Sequence, residues 1–298
     1  MIVELVKVQT RDGVRLDGAL SVAEQQESKT LVLCLHGVGS NFYGSRMFAE
    51  LALEIVKNGA DCLRVNTRGH DYCYTGMSRM GVRRLGAGYE RVEQCLEDID
   101  AWLDWAGERY QSVILLGHSL GALKAVYYQS HQTHHLLRKV IAISPPRLSY
   151  RAFMAGEQRV GFQQSVENAE QAIREGEPQR LVDVSVPFPL LITAEGYLDK
   201  YGPQEKYNLE PMVYELPLPT DFIFGGHELQ FSGVAFAGLD HSIKSIATEA
   251  GLESKVSIHV IDEADHMYSR HGRELAELIK ALLLVEFHRS LYSVYPPK

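Results

Sequence analysis

The sequence predicts an α/β fold, in which a mostly parallel central sheet is covered by helices on both faces. Two observations carry this prediction. Short apolar segments alternate along the chain with longer segments in which apolar residues recur at helical spacing. Residues 31–35 form a continuous apolar run, which is typical of a strand that is buried on both faces.

The predicted elements follow one another regularly up to residue 146. Residues 3–9 and 14–21 flank the turn sequence Arg11-Asp12-Gly13 and predict a β-hairpin. Spacing and breakers then predict a strand at 31–35, a helix at 45–58, a strand at 61–66, a long amphipathic helix at 88–109, a strand ending at Gly117, a helix at 120–131 and a strand at 139–143.

The alternation is lost between residues 147 and 217. It resumes with a strand at 220–225, a helix near 239–250, a strand at 255–260 and a closing helix at 271–288. An insertion between two strands of a regular parallel sheet is usually a cap over the active site. We therefore predict a core formed by residues 1–146 and 218–298, with residues 147–217 as a cap or lid.

The composition is that of an ordinary globular protein, with 45% hydrophobic and 23% charged residues among 298. The net charge of −8 argues against nucleic acid or an anionic membrane as a partner, because both are bound through basic surfaces. We find no apolar run near the roughly 20 residues that span a bilayer, and no signal-peptide pattern. The four cysteines lack metal-like spacing, so we expect reduced thiols in a cytoplasmic protein. The sequence is compatible with a homo-oligomer.

The most informative motif is Gly117-His118-Ser119-Leu120-Gly121, which follows an apolar run and precedes a helix-forming one. A strand-to-helix turn tight enough to expose a serine brings the neighbouring backbone so close that only glycine fits on either side. The following helix directs free amide donors at the reacting centre. We predict that Ser119 is a nucleophile; the alternative is a glycine-flanked turn without chemistry.

An acyl-transfer site built on Ser119 needs a general base and a carboxylate that orients it. His266 is the candidate base, because it follows the strand at 255–260. Glu228 is the candidate acid, because it lies just past the preceding strand. Asp199 is the main rival, since it follows a short apolar segment that could be a strand. Asp265 adjoins the base and is the weakest of the three.

Two backbone amides are expected to stabilise the oxyanion. One belongs to Leu120, and the other to Val38 in the glycine-rich loop after residues 31–35. His36 is expected to hold this loop, and both His36 and Gly37 are expected to border the substrate.

The predicted cap supplies aromatic residues that could line a substrate pocket. Tyr197 and Tyr201 are the candidate substrate-binding residues among them; the others are Tyr150, Phe153, Phe162 and Tyr207. The alternative is that these rings only pack the cap onto the core.

The chain resembles the α/β-hydrolase fold superfamily, in its serine esterase and lipase branch, over nearly its whole length. The resemblance is carried by His36-Gly37, Asn66-Thr67-Arg68-Gly69-His70, the segment from Gly117 to Gly121, Glu228 and His266. Members often have aspartate where Asn66 stands, a small residue where Asp71 stands, and aspartate rather than glutamate as the triad acid.

This resemblance implies an α/β-hydrolase fold with an inserted cap and a Ser119–Glu228–His266 triad. It also implies hydrolysis of a small-molecule carboxylic ester or thioester through an acyl-enzyme, without metal or cofactor. Serine in the motif, in place of the nucleophilic aspartate of dehalogenases and epoxide hydrolases, indicates acyl chemistry. Two alternatives stay open: a ligand receptor that keeps a slow triad, and an enzyme that uses the triad for carbon–carbon bond hydrolysis or acyl transfer.

Overall fold

The structure of the protein is a computed structural model that describes residues 2–23 and 28–294. Its strands are β1 (Glu4–Gln9), β2 (Arg15–Ser21), β3 (Thr30–Leu35), β4 (Asp61–Val65), β5 (Tyr74–Ser78), β6 (Gly81–Leu85), β7 (Ser112–His118), β8 (Leu137–Ile143), β9 (Leu181–Val184), β10 (Leu190–Thr193), β11 (Thr220–Gly225) and β12 (Val256–Ile261). Its helices are α1 (Arg46–Lys57), α2 (Cys95–Gly107), α3 (Leu120–His131), α4 (Tyr150–Ala155), α5 (Arg159–Arg174), α6 (Ala194–Tyr201), α7 (Leu209–Val213), α8 (Gly226–Phe231), α9 (Leu239–Glu249) and α10 (Gly272–Val294). None of the described helices combines the length and the apolar character that crossing a membrane requires.

Eight strands form the central sheet, in the order β1-β2-β4-β3-β7-β8-β11-β12. The six strands from β4 to β12 in that order are mutually parallel, and β1 and β2 form an antiparallel hairpin at one edge. The predictions of a mostly parallel α/β sheet and of an N-terminal hairpin are confirmed. The carboxyl ends of the parallel strands meet at one edge, which is where sheets of this kind place their sites.

Both faces of the sheet are covered, because its strands carry apolar side chains in both directions. Along β3, Leu31, Leu33 and Leu35 face α2 and α3, whereas Val32 and Cys34 face α1 and α10. All five side chains are at most 1% exposed. Full burial of each leucine contributes roughly 2 kcal/mol.

Residues 147–217 fold outside the central sheet. They form α4 to α7 and a separate two-stranded antiparallel sheet of β9 and β10. The segment leaves the sheet after β8 and returns at β11, and these two strands are hydrogen-bonded neighbours. It therefore begins and ends at adjacent positions of the sheet.

The structure differs from the sequence prediction between residues 74 and 94. The hairpin β5–β6 occupies a segment for which the sequence predicts no element. The helix predicted over 88–109 begins only at Cys95, after a short 3-10 helix over Val92–Gln94. The amide of Gly88 donates to the carbonyl oxygen of Tyr72 at 3.0 Å. The carbonyl oxygen of Gly88 accepts from the amide of Thr193 at 2.8 Å, so it is not available for the first turn of a helix beginning at this residue, which explains the later start.

Candidate active site

Ser119 lies in a tight turn between β7 and α3. Its backbone has a φ of 56° and a ψ of −125°, a strained conformation that residues other than glycine rarely adopt. A Cβ atom added to Gly117 would lie 2.2 Å from the carbonyl oxygen of Gly121, and one added to Gly121 would lie 2.2 Å from that of Leu35. The close approach of the backbone therefore requires both glycines.

Glu228 and His266 are in direct contact. Oε1 of Glu228 is the hydrogen-bond partner of Nδ1 of His266. The Glu228 side chain is fully buried, and its Oε2 accepts hydrogen bonds from the Ser144 hydroxyl at 2.6 Å and from the Gly225 amide at 3.3 Å. The His266 side chain stays 31% exposed. A buried carboxylate thus orients an imidazole that remains accessible, which is the arrangement of a base with its orienting acid.

Glu228 lies just past the end of a strand, as the sequence predicted, in the first turn of a helix. β11 ends at Gly225 and α8 begins at Gly226, so Glu228 is the third residue of α8. Its carboxylate accepts the amide of Gly225, which would otherwise lack a partner at the start of the helix. The first turn of a helix also favours a negative charge.

The two rival carboxylates have other partners. Asp199 lies on α6 and accepts a hydrogen bond from the Tyr207 hydroxyl at 2.8 Å. The apolar segment before it is strand β10, but this strand pairs with β9 outside the central sheet. The reason for expecting a triad acid after that strand is therefore removed. Asp265 accepts hydrogen bonds from two backbone amides of its own loop, at 3.0 and 2.9 Å.

His118 joins the turn at Ser119 to the loop that carries His266. Because a carbonyl oxygen can only accept, Nε2–H of His118 donates to the carbonyl oxygen of His266, at 2.8 Å. The two rings are 4.8 Å apart. Burial, together with the nearby His266, lowers the pKa of His118 to about 3 and keeps the ring neutral. The sequence does not reveal this role, because the two residues are 148 positions apart.

Ser144 and Tyr268 support Glu228, and the sequence did not identify either. The Ser144 hydroxyl donates to Glu228 and accepts from the Tyr268 hydroxyl at 3.0 Å. Both residues have positive φ values, 50° and 53°, and strain of this kind collects at functional sites. A polar residue directly after a parallel strand is a signal that could have indicated Ser144. Tyr268 carries no comparable signal.

The loop after β3 lies against Ser119. A Cβ atom added to Gly37 would be 3.1 Å from Cβ of Ser119 and 3.5 Å from its Oγ. Among the described residues, the amides of Val38 and Leu120 have no hydrogen-bond acceptor. Unpaired amides at these positions are compatible with the predicted role of both residues as oxyanion donors.

His36 holds this loop from the interior. Its Nδ1–H donates to the carbonyl oxygen of Gly37 at 2.8 Å, and its Nε2 accepts from the amide of Thr67 at 3.1 Å. Burial, assisted by the charge of Lys124, lowers the pKa of His36 to about 4, so the ring is neutral. The expectation that His36 holds the loop agrees with these contacts. Its side chain is buried, which leaves Gly37 as the residue of the pair that lies next to Ser119.

A cavity of about 420 Å³ lies between the core and residues 147–217. Tyr72 and Gly88 line it from the core, and Leu181, Asp183 and Leu190 line it from the opposite side. The Tyr72 ring also covers the loop after β3: a Cβ atom added to Gly39 would lie 3.0 Å from its Cζ. Tyr72 therefore lies against both the cavity and the loop that carries Val38, whereas Ser119 and His266 are not among the residues that line the cavity.

Tyr197 and Tyr201 lie in an aromatic cluster instead of lining this cavity. They are 0% and 3% exposed, and their rings contact one another and those of Phe153 and Phe162. The Tyr197 hydroxyl donates to the carbonyl oxygen of Val186 at 2.9 Å. These contacts support the packing alternative for both tyrosines.

An eight-stranded, mostly parallel sheet with a serine turn between β7 and α3 defines the α/β-hydrolase class. The model of the Alpha/beta hydrolase family matches residues 32–278, and the chain belongs to this family. None of the curated proteins is similar enough in sequence to count as a match.

Solved structures with the same fold include esterases and a lipase. The chain is similar to Est1E from Butyrivibrio proteoclasticus with ferulic acid bound, at 15% identity and a TM-score of 0.66, covering 95% of this chain and 100% of that one. It is similar to the Pyrococcus furiosus esterase Pf2001, at 17% identity and a TM-score of 0.63, covering 97% and 91%. It is also similar to a soluble variant of monoglyceride lipase from Saccharomyces cerevisiae in complex with a substrate analogue, at 13% identity and a TM-score of 0.66, covering 95% of each chain. At these identities the likeness concerns the fold.

Proposed function

We propose that the protein is a serine hydrolase that cleaves a carboxylic ester, or a thioester, through an acyl-enzyme on Ser119. The observation that carries the proposal is the contact between the buried carboxylate of Glu228 and Nδ1 of His266, whose backbone is hydrogen-bonded through His118 to the strained turn of Ser119. With Nδ1 engaged by the acid, Nε2 of His266 is the nitrogen that takes the proton of the serine.

The reaction proceeds in two steps of acyl transfer. His266 removes the hydroxyl proton of Ser119 as the oxygen attacks the ester carbonyl, and Glu228 stabilises the imidazolium that forms. The amides of Val38 and Leu120 donate to the developing oxyanion, and each such donor lowers the barrier by about 3 kcal/mol. His266 then protonates the leaving alcohol. A water molecule, activated by the same histidine, releases the acyl group.

We also propose that residues 147–217 act as a cap and that the cavity below them receives the substrate. In support, the cavity is lined from one side by this segment and from the other by the core, and its lining includes Leu181, Leu190 and Tyr72. Such a lining suits an apolar or aromatic group of the ester. Est1E with bound ferulic acid and monoglyceride lipase are similar in fold, which is compatible with this substrate class.

A cytoplasmic location is part of the proposal. All four cysteines are free, and the sulfur atoms of Cys34 and Cys62 lie 3.7 Å apart without forming a disulfide. Free thiols are expected in a reducing compartment, where disulfides are rare. Fractionation of the source cells with an antibody against the chain would test the assignment.

Fluorophosphonate labelling with peptide mapping, followed by a panel of p-nitrophenyl esters, tests the function. We expect one labelled peptide that contains Ser119, turnover of the esters, and loss of both in Ser119→Ala, with circular dichroism showing that the variant is folded. Tight ligand binding that survives Ser119→Ala, with negligible turnover by the unaltered protein, would indicate a receptor instead. Turnover of a β-diketone, or product formation only with an added alcohol acceptor, would indicate the carbon–carbon hydrolase or the acyltransferase.

A further inference from the structure

A row of buried polar side chains connects helix α6 to the loop after β3. Its first members are Lys200 on α6, Glu90 before α2 and Lys124 on α3, each at most 2% exposed. Nζ of Lys200 lies 3.7 Å from Oε2 of Glu90, and Nζ of Lys124 is hydrogen-bonded to Oε1 of the same carboxylate. We call these three residues the buried charge cluster.

The row continues from Lys124 to the peptide bond between Gly37 and Val38. Nζ of Lys124 donates to Oγ1 of Thr67 at 3.1 Å. The Thr67 amide donates to Nε2 of His36, and Nδ1–H of His36 donates to the carbonyl oxygen of Gly37. In a planar trans peptide the C=O and the N–H point in opposite directions. A bond that fixes the Gly37 carbonyl therefore also fixes the Val38 amide.

The buried charge cluster is costly for stability when it is considered alone, because two ammonium groups share one carboxylate in the interior. Nζ of Lys200 and Oε2 of Glu90 have no hydrogen-bond partner among the described residues. Burial lowers the pKa of Lys200. Burial acts to raise the pKa of Glu90, but Lys124 and Lys200 outweigh it and the pKa is lowered. The contacts of the cluster join α6, α3 and the segment before α2.

The Glu90 carboxylate is confined on its remaining side. A Cβ atom added to Gly69 would lie 2.1 Å from Oε1 of Glu90, so the carboxylate packs directly on the backbone of the loop that follows β4. It is held between that backbone and two ammonium groups on different helices. Its position therefore depends on where α6 places Lys200.

We propose that Lys200 is a positioning residue for the oxyanion donor of Val38, acting through the buried charge cluster and His36. The inference rests on the proposed function, because it concerns the amide that stabilises the transition state. Without Lys200, the Glu90 carboxylate is attracted by Lys124 alone. Lys124 is then drawn away from Thr67, and the support of His36 is weakened.

The test is Lys200→Met, which keeps the length of the side chain and removes its charge. We expect kcat for p-nitrophenyl acetate to fall about tenfold with KM unchanged, because only the transition state uses the oxyanion donor. The inhibition constant of a trifluoromethyl ketone, which forms an oxyanion on the serine, should rise by the same factor. Lys206→Met is the matched control, because Lys206 lies beyond α6, is 45% exposed and pairs with Asp199 rather than with the buried charge cluster.

A second variant interrupts the row of buried polar side chains at another point. It tests the proposal even if Lys200→Met does not fold. Thr67→Val preserves the shape of the side chain and removes the acceptor of Lys124, and we expect the same loss of kcat and of inhibitor affinity. In a His36→Gln background, Lys200→Met should have little further effect, since coupled residues are non-additive.

Three results would overturn the inference. The first is wild-type kcat in both Lys200→Met and Thr67→Val. The second is a loss of inhibitor affinity in Lys206→Met as large as that in Lys200→Met. The third is full additivity of the effects of Lys200→Met and His36→Gln on kcat. None of them affects the proposed function while Ser119→Ala is inactive. Activity and labelling that persist in Ser119→Ala would overturn the proposed function instead.

Discussion

The hydroxyl group of Ser144 lies 2.6 Å from Oε2 of Glu228, and this bond ties the end of β8 to the carboxylate that contacts His266. Ser144 makes the bond with a φ of 50°, a left-handed backbone that costs a non-glycine residue about 1–2 kcal/mol. The position of the carboxylate thus depends on the neighbouring strand as well as on β11 and α8.

Replacement of Ser144 should impair catalysis by loosening Glu228. We expect Ser144→Ala to lower kcat about tenfold on a p-nitrophenyl ester with little change in KM, and to reduce the free energy of unfolding by about 2 kcal/mol, because a buried carboxylate oxygen loses a donor. Ser144→Gly is the matched variant. It should show the same loss of kcat as Ser144→Ala but a larger free energy of unfolding than that variant, since glycine relieves the backbone strain. Steady-state kinetics and urea unfolding measure both effects, and wild-type kcat in both variants would contradict the role of Ser144.

The identity of the acid can be decided by two isosteric substitutions. Glu228→Gln should lower kcat by about 10³-fold or more, because the amide cannot stabilise the imidazolium or hold its tautomer. Asp199→Asn should leave kcat within about twofold and cost about 1 kcal/mol of stability through its bond to Tyr207. Initial rates at saturating ester measure both variants. The opposite pattern would make Asp199 the acid.

The turn at Ser119 should not tolerate a side chain at Gly121. Gly121→Ala places a Cβ atom 2.2 Å from the carbonyl oxygen of Leu35, and we expect loss of activity together with destabilisation of about 3 kcal/mol or more. Gly59→Ala is a control, because Gly59 has a φ of 87° but, among the described residues other than its chain neighbours, no atom lies within 4 Å of its added Cβ. It should cost only about 1 kcal/mol and keep activity. Thermal unfolding and ester turnover of the two variants test the contrast.

Stability should fall as the pH is lowered through the range in which buried histidines would be protonated. The pKa of His36 is lowered from 6.5 to about 4, so the unfolded state binds more protons than the folded state between these values. The contribution of the neutral His36 ring to the free energy of unfolding is fully present above about pH 6.5 and is lost as the pH falls toward 4. From pH 7 to pH 5 the loss from His36 is about 2 kcal/mol.

The measurement is urea unfolding at several pH values between 7 and 5. His36→Gln should show a weaker dependence on pH, because the amide does not titrate. His118, whose pKa is also lowered by burial, adds to the dependence in both proteins. An equal slope in the two proteins would show that folding does not lower the pKa of His36.

Most elements of the central sheet could be predicted, because their signals are local. Continuous apolar runs marked β3, β8 and β11, and helical spacing marked α1, α3 and α9. The hairpin β5–β6 was missed because its turn, Arg79-Met80, lacks the glycine or asparagine that identifies a two-residue turn. β10 could be recognised as an apolar segment, but its pairing with β9 outside the sheet could not.

The residues of the candidate site likewise fall into those with a local sequence signal and those without one. Ser119, Glu228 and His266 carry signals because each follows a strand of the sheet. The residues that hold them do not, because their contacts join distant parts of the chain. Ser144 is 84 positions from Glu228, and His118 is 148 positions from His266. The start of α8 places Glu228, rather than Asp199 or Asp265, in contact with His266. Sequence spacing alone does not locate the start of this helix.

The adjacency of β8 and β11 has a consequence for exchanging parts between related enzymes. Because residues 147–217 leave and re-enter at hydrogen-bonded neighbours, a segment of different length or shape can be grafted there without changing the register of the strands. Such a graft would replace one wall of the cavity and leave Ser119 and His266 in place. It would also remove the ammonium group of Lys200 from Glu90. A working chimera must therefore supply a cation at that point, or replace Glu90 together with the graft.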